Sequence, residues 1–305
     1  MVGCEAQPAA SVERSSANGE EVGRTVARPI AYINSHAVTD RDLLGPLMEA
    51  AGGQVLSELV LDRQIEQELQ RRGLELTPAM LEQEKARMLA TLSADPDEAA
   101  RLLSEMRARR GLGDRRFDSL LHRNAGLRLL VQDRVEVPPA LVFEAYELRY
   151  GPRYRVRILM VPTLEEAGRL RSLAKAGEPF GELAARHSTD PSAAQGGLLS
   201  PISPADPSYP KALRDALKSM AAGEVSDLIA VDGGFIIMKL EEILPAEPIS
   251  FVDVRQELEQ AVRLDVEARL MQQAARAMLA EAKVVVLDPV LAQSWRREKQ
   301  QTLGE

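Results

Sequence analysis

Tyr154-Arg155-Val156-Arg157-Ile158-Leu159-Met160-Val161 is the stretch that decides how this chain is read, because it opens a series of segments that make sense only together. Its β-branched and aromatic residues predict a strand. Gly177, Phe180, Leu183 and Ala184 follow at the spacing of a helix entry, and then comes the loop Ser188-Thr189-Asp190-Pro191-Ser192-Ala193-Ala194-Gln195-Gly196-Gly197. A turn, Gly223-Glu224-Val225-Ser226, leads to the closing strand Gly234-Phe235-Ile236-Ile237-Met238-Lys239-Leu240. Tyr154 to Glu242 therefore reads as one compact mixed module, with a long and mostly helical chain on either side.

In order and spacing these segments resemble a parvulin-type peptidyl-prolyl isomerase domain. That family opens on a strand with His-Ile-Leu and closes on Gly-Tyr-His-Ile-Ile-Lys. In this reading Arg157 stands at the first histidine position, Ile236 at the second, and Asp190 keeps the acidic position. The resemblance implies an apolar slot for a proline ring, lined by Leu199, Tyr209 and Leu213 and bounded by a groove between Leu159 and Phe235. It makes Asp190 the candidate catalytic residue, and Arg157, Leu199, Tyr209, Leu213, Phe235 and Ile236 the candidate substrate contacts. An Arg157–Asp190 ion pair would replace part of the family's histidine network. Simpler alternatives stand beside these: Arg157 on a solvated strand face, Ile236 as core packing, Asp190 as the initiator of an Asp-Pro turn.

Composition bounds the remainder. At 305 residues and 45% hydrophobic content the chain can build more than one core, and its aromatic share of 4% beside abundant Ala, Leu, Glu and Arg favours helices. A net charge of -8 argues against a nucleic-acid surface, which needs concentrated basic charge. No apolar run approaches the ~18 residues of a membrane-spanning helix. His36, His122 and His187 have no metal-ligand spacing, and no phosphate loop or Ser/His/Asp signature is present, so neither metal nor cofactor is expected.

The expected class is α+β, with helices from both ends forming a SurA/PrsA-like chaperone domain around an inserted parvulin-like module. Residues 1–28 read as a polar tether, and Gly3-Cys4 resembles the end of a bacterial lipobox, which makes Cys4 a candidate lipidation site. Residues 29–150 form the N-terminal helical part, opening with a β-like run at Pro29 to Asn34 and a capping signal at Thr39. Thr77-Pro78 and Asp95-Pro96 each predict a helix start. The module occupies 151–245. Residues 246–290 hold a long helix, about Phe251 to Ala282, and a β-like run, Val284 to Leu287, which the resemblance pairs with Pro29 to Asn34. Residues 291–305 read as a charged, frayed helical tail.

Two functions follow. The first is an extracytoplasmic foldase, in the periplasm or cell envelope, that speeds prolyl isomerisation in exported polypeptides. The second is a non-catalytic chaperone or envelope-assembly lipoprotein that binds unfolded or Pro-containing segments. Neither requires nucleic acid, and the membrane enters only through Cys4.

Overall fold

The structure is a computed structural model that describes residues 29–303. Cys4 and the expected tether lie outside the described residues. The chain divides into two compact units, Met1–Val60 with Ala282–Glu305, and Leu61–Glu281.

In the first unit, β1 (Pro29–Ile33) pairs antiparallel with β2 (His36–Thr39). Asn34 and Ser35 between them both take positive φ, 47° and 68°, the backbone of a two-residue hairpin turn. The expected partner of β1, Val284 to Leu287, forms no strand. The reason is local: Asn-Ser tolerates the left-handed turn, and closing so short a loop costs less entropy than pairing across the length of the chain. The Asp42 carboxylate accepts 2.8 Å bonds from the Thr39 N–H and hydroxyl at the start of α1 (Asp40–Leu47), which continues as a π-helical turn, Met48–Gly52. The expected helical tail forms α11 (Pro289–Leu303), with Asp288 accepting from Leu291 N at 2.8 Å at its start. Its Trp295 is buried, and Ser294 Oγ accepts from Gly53 N at 2.9 Å. Contact is so close that a Cβ on Gly53 would lie 2.3 Å from the Ser294 carbonyl oxygen.

α2 (Gly53–Arg72) leads into the second unit, which contains α3 (Pro78–Leu92), α4 (Pro96–Arg109), α5 (Asp114–Val131), α6 (Pro139–Tyr150) and α10 (Phe251–Glu281). Thr77 Oγ1 accepts from Met80 N, and Asp95 Oδ1 accepts from Asp97 N and Glu98 N, so both predicted caps form. Leu103, Phe117 and Leu121 build one core across α4 and α5, while Val142, Tyr150 and Leu258 build another across α6 and α10. Between α3, α5 and α10 sits a charge cluster. Arg128 pairs with both Glu84 and Glu267, and each carboxylate is buried. A buried carboxylate is tolerated only when paired, so Arg128 ties three helices through groups that cannot be left alone.

The module lies in the same unit. Its sheet has the order β3-β5-β4, from β3 (Arg153–Val161), β4 (Ile229–Val231) and β5 (Gly234–Leu244), all antiparallel. Around it lie α7 (Leu164–Lys175), α8 (Phe180–His187) and α9 (Lys211–Ser219). The free edge of β3 is covered by the chain near 197–202, through Ile158 N to Gly197 O at 2.8 Å and Tyr154 N to Ile202 O at 2.7 Å. Among the described residues no helix is long and apolar enough to cross a membrane.

Replacing Arg128 with Leu should lower stability by roughly 3–5 kcal/mol, since Glu267 loses its cation and Glu84 keeps only the more exposed Arg87. Thermal unfolding followed by circular dichroism should then show a midpoint lower by roughly 10 °C, and an unchanged midpoint would mean that the cluster contributes little.

Candidate functional site

The site follows from strand alternation. β3 and β5 pair with Met160 opposite Ile236 and Ile158 opposite Met238. Side chains on a strand point alternately to the two faces, so each such pair shares one side of the sheet. Val156, Ile158, Ile236, Met238 and Leu240 therefore face one way and are all buried, against Ile202, Leu213, Leu217, Met220 and Ile229. Leu159, Val161, Phe235 and Ile237 face the other way, against Ala167 and Leu170 of α7 and Phe180, Leu183 and Ala184 of α8. At the margin of the first face stand Met160, Leu199 and Tyr209, all half-buried.

The loop after α8 is pinned to β3 at the Met160 end. Ser188 Oγ accepts from Met160 N at 3.1 Å and from Asp190 N at 3.2 Å, and Thr189 N donates to Met160 O at 2.8 Å. The Asp190 carboxylate caps the short 3-10 turn Pro191–Gln195, accepting from Ser192 N at 2.8 Å and Ser192 Oγ at 2.5 Å. Gly196 and Gly197 then take left-handed φ of 63° and 74°. Gly197 cannot be otherwise: a Cβ there would lie 2.1 Å from the Ile158 carbonyl oxygen. Leu199 N donates to Val156 O at 3.0 Å, which sets Leu199 beside the apolar face. Tyr209 precedes α9, and burial, with the nearby Asp206 charge second, pushes its phenol above the usual value.

Several expectations change. Leu199, Tyr209, Leu213 and Ile236 come together on one face. Phe235 does not join them; it packs with Leu159 on the helix-covered face, so the groove expected between those two is core. Arg157 lies on that side too, and no ion pair with Asp190 forms. Its Nε donates to Glu241 Oε1 at 3.0 Å, and Nη1 donates to Gln195 O at 3.0 Å and Gly196 O at 2.8 Å. Two residues that meet across a floor must share a face, so the first-strand residues that can meet Ile236 there are its direct partner Met160 and the diagonal Ile158, not Arg157. Sequence reading missed this because Ile158 to Val161 are apolar on both sides; the signal was available only as the parity relation to Ile236.

The floor is thus hydrocarbon and thioether, with the Tyr209 phenol at its margin. Its chemistry is that of an apolar surface for a ring, beside a turn whose carboxylate already serves the turn. None of the histidines lies on it: His36 is in β2, His122 Nδ1 is 2.8 Å from Asp118 O on α5, and His187 ends α8, 3.9 Å from Glu166. Among the described residues no group of three His, Cys, Asp or Glu is placed to hold a metal ion. A cavity of ≈ 860 Å³ lies elsewhere in this unit, along α6, α9 and α10; Lys211, Arg214, Asp265 and Arg269 in its lining do not suit a proline ring.

Residues 143–256 match the family model described as the PPIC-type PPIASE domain, and the module is accordingly a parvulin-type peptidyl-prolyl isomerase domain. Over most of its length the chain is similar to foldase protein PrsA of Oceanobacillus iheyensis, with 25% identity over 261 residues covering 84% of this chain and 83% of that protein. It is 28% identical over 132 residues to chaperone SurA of Pseudomonas aeruginosa, covering 39% of this chain and 31% of that protein. Among solved structures it is similar to PrsA of Bacillus anthracis, with TM-score 0.47, 18% identity, and coverage of 77% of this chain and 100% of that one. The chain thus carries a PPIC-type domain within residues 143–256 and is similar over most of its length to PrsA.

Parity makes a sharp test. If the two family histidine positions are those that share the floor, Ile158→His with Ile236→His should raise prolyl-isomerase turnover above the parent in a protease-coupled peptide assay. Arg157→His with Ile236→His should not. Equal gains from both double variants would contradict the facial assignment.

Proposed function

We propose that this protein is an extracytoplasmic foldase whose module binds proline-containing segments of exported, unfolded polypeptides and assists their cis–trans isomerisation at a low rate. The observation that carries the reading is the apolar floor of Ile158, Ile236 and Leu213 with half-buried Met160, Leu199 and Tyr209 at its margin. An X-Pro bond isomerises slowly because rotation breaks amide resonance, with a barrier of ~18–20 kcal/mol. No nucleophile is needed to lower it. The protein must bind the twisted amide better than either planar form, and each ~1.4 kcal/mol of that preference is a tenfold rate gain. A twisted amide has lost its zwitterionic resonance form and is less polar than a planar one, so an apolar floor favours it. What this floor lacks is a polar group to meet the rotating carbonyl, which is why the proposed turnover is low.

A second reading, a chaperone that holds such segments without turnover, is favoured by the Asp190 carboxylate, whose bonds go to its own turn. A protease-coupled assay on a proline peptide, run beside suppression of aggregation of an unfolded client, separates the two. Turnover above the uncatalysed rate supports the foldase; holding activity alone supports the chaperone. Absence of both would reject the site. Because no histidine sits on the floor, kcat/KM should be flat between about pH 6 and about pH 9, and a titration near the ordinary histidine value would show that a proton does take part.

Export places the chain outside the cytoplasm, and the Gly3-Cys4 pair supports a lipid anchor there. Growth with an alkyne-bearing fatty acid should label the full-length protein and not Cys4→Ser. Label that persists in the variant, or is missing from the parent, would remove the anchor from this account.

A further inference from the structure

Arg157 is a cation in a place where nothing about a proline slot asks for one. It projects from the face of β3 opposite the slot, yet its side chain reaches the loop that forms one wall of the slot. Nη1 donates to the carbonyl oxygens of Gln195 at 3.0 Å and Gly196 at 2.8 Å, while Nε donates to Glu241 on β5 at 3.0 Å. The guanidinium occupies a space kept open by two glycines. A Cβ on Gly196 would lie 2.8 Å from Nη1, and one on Gly181 of α8 would lie 3.3 Å from it. An arginine is suited to this work because its planar fork donates to several acceptors at once while the paired carboxylate fixes its plane.

Directly beyond those two carbonyls the chain crosses the edge of β3. Gly197 O accepts from Ile158 N at 2.8 Å, and Leu199 N donates to Val156 O at 3.0 Å, which brings Leu199 to the slot face. Gly197 N returns to Ser192 O at 2.9 Å inside the turn that Asp190 caps. The segment from Asp190 to Leu199 is thus held by backbone pairing on its β3 edge and by Arg157 from behind the sheet.

We infer that Arg157 is a positioning residue for the peptide slot, acting through the Gln195 and Gly196 carbonyls to set Leu199 and the Asp190 turn, with Glu241 holding its guanidinium in place. The inference rests on the slot as the peptide site. Arg157 itself touches no peptide in this arrangement, so its influence is the same whatever charge the peptide carries. Loss of the guanidinium leaves two carbonyls at the rim of the module within reach of water, so the loop shifts and the fold stays.

The test uses the full chain and two labelled peptides, Ala-Glu-Pro-Phe and Ala-Lys-Pro-Phe, with binding read by fluorescence anisotropy and amide exchange of Gly197 and Leu199 read by NMR. Arg157→Ala should weaken both peptides by the same factor, about three- to tenfold, and speed exchange at both amides, while the melting midpoint stays close to that of the parent. Arg157→Lys should recover part of the loss, since an ammonium reaches one carbonyl without the fork. Unchanged affinity in Arg157→Ala overturns the inference. So does a loss that differs between the two peptides, which would make Arg157 a direct contact. If the parent binds neither peptide, the slot reading fails on its own; exchange then decides the clamp, faster exchange in Arg157→Ala sustaining it and unchanged exchange removing it.

Discussion

The antiparallel register of β3 on β5 is the constraint from which the rest of the module follows. With Met160 opposite Ile236, every side chain of both strands is assigned to one of two faces, and a shift by one residue would exchange them all. One face is closed by α7 and α8 and becomes ordinary core. The other is covered by Leu213 and Leu217 of α9 and left partly open where Met160, Leu199 and Tyr209 stand. The proposed binding surface and the core are thus two sides of one sheet, and a residue's place is set by parity before its chemistry matters.

The glycine pair between the Asp190 turn and Leu199 is the second element of the construction. Left-handed backbone at Gly196 and Gly197 lets the chain pass within contact of the Ile158 carbonyl, a distance that leaves no room for any side chain. The loop then pairs with the edge of β3, so that the margin of the apolar face is built on a rigid strand, where positions are held more tightly than on a free loop. The proposed site, with its hydrocarbon and thioether floor, would recognise shape and apolarity. That suits a foldase for exported chains, whose clients share exposed hydrophobic and proline-containing segments and little else.

Much of this was legible in the residues. The order of the four segments, the Asp-Pro and Gly-Gly turns, and the Pro-marked starts at Thr77, Asp95 and the long helix at Phe251 all rest on local physics, and each appears in the structure. Of the six substrate contacts that the resemblance implied, Leu199, Tyr209, Leu213 and Ile236 share a face. The placement of Arg157 and Phe235 was not legible, because the strand is apolar on both sides past Arg157 and gives no alternation to read. Nor was the pairing of β1, where a hairpin turn at Asn34-Ser35 prevails over a distant β-like run at Val284 to Leu287.

By itself, then, the sequence determined which elements form, since capping, turn chemistry and periodicity act over a few neighbouring residues, and the order of those elements carried the resemblance to a parvulin-type domain. Only the tertiary structure decided that Ile158 and Met160, not Arg157, share the face of Ile236, that Arg157 grips a loop from behind the sheet, and that Arg128 joins two buried carboxylates from α3 and α10. Those are relations between residues far apart in the chain. They depend on strand register and helix packing, which the whole fold settles at once and no short window of residues encodes.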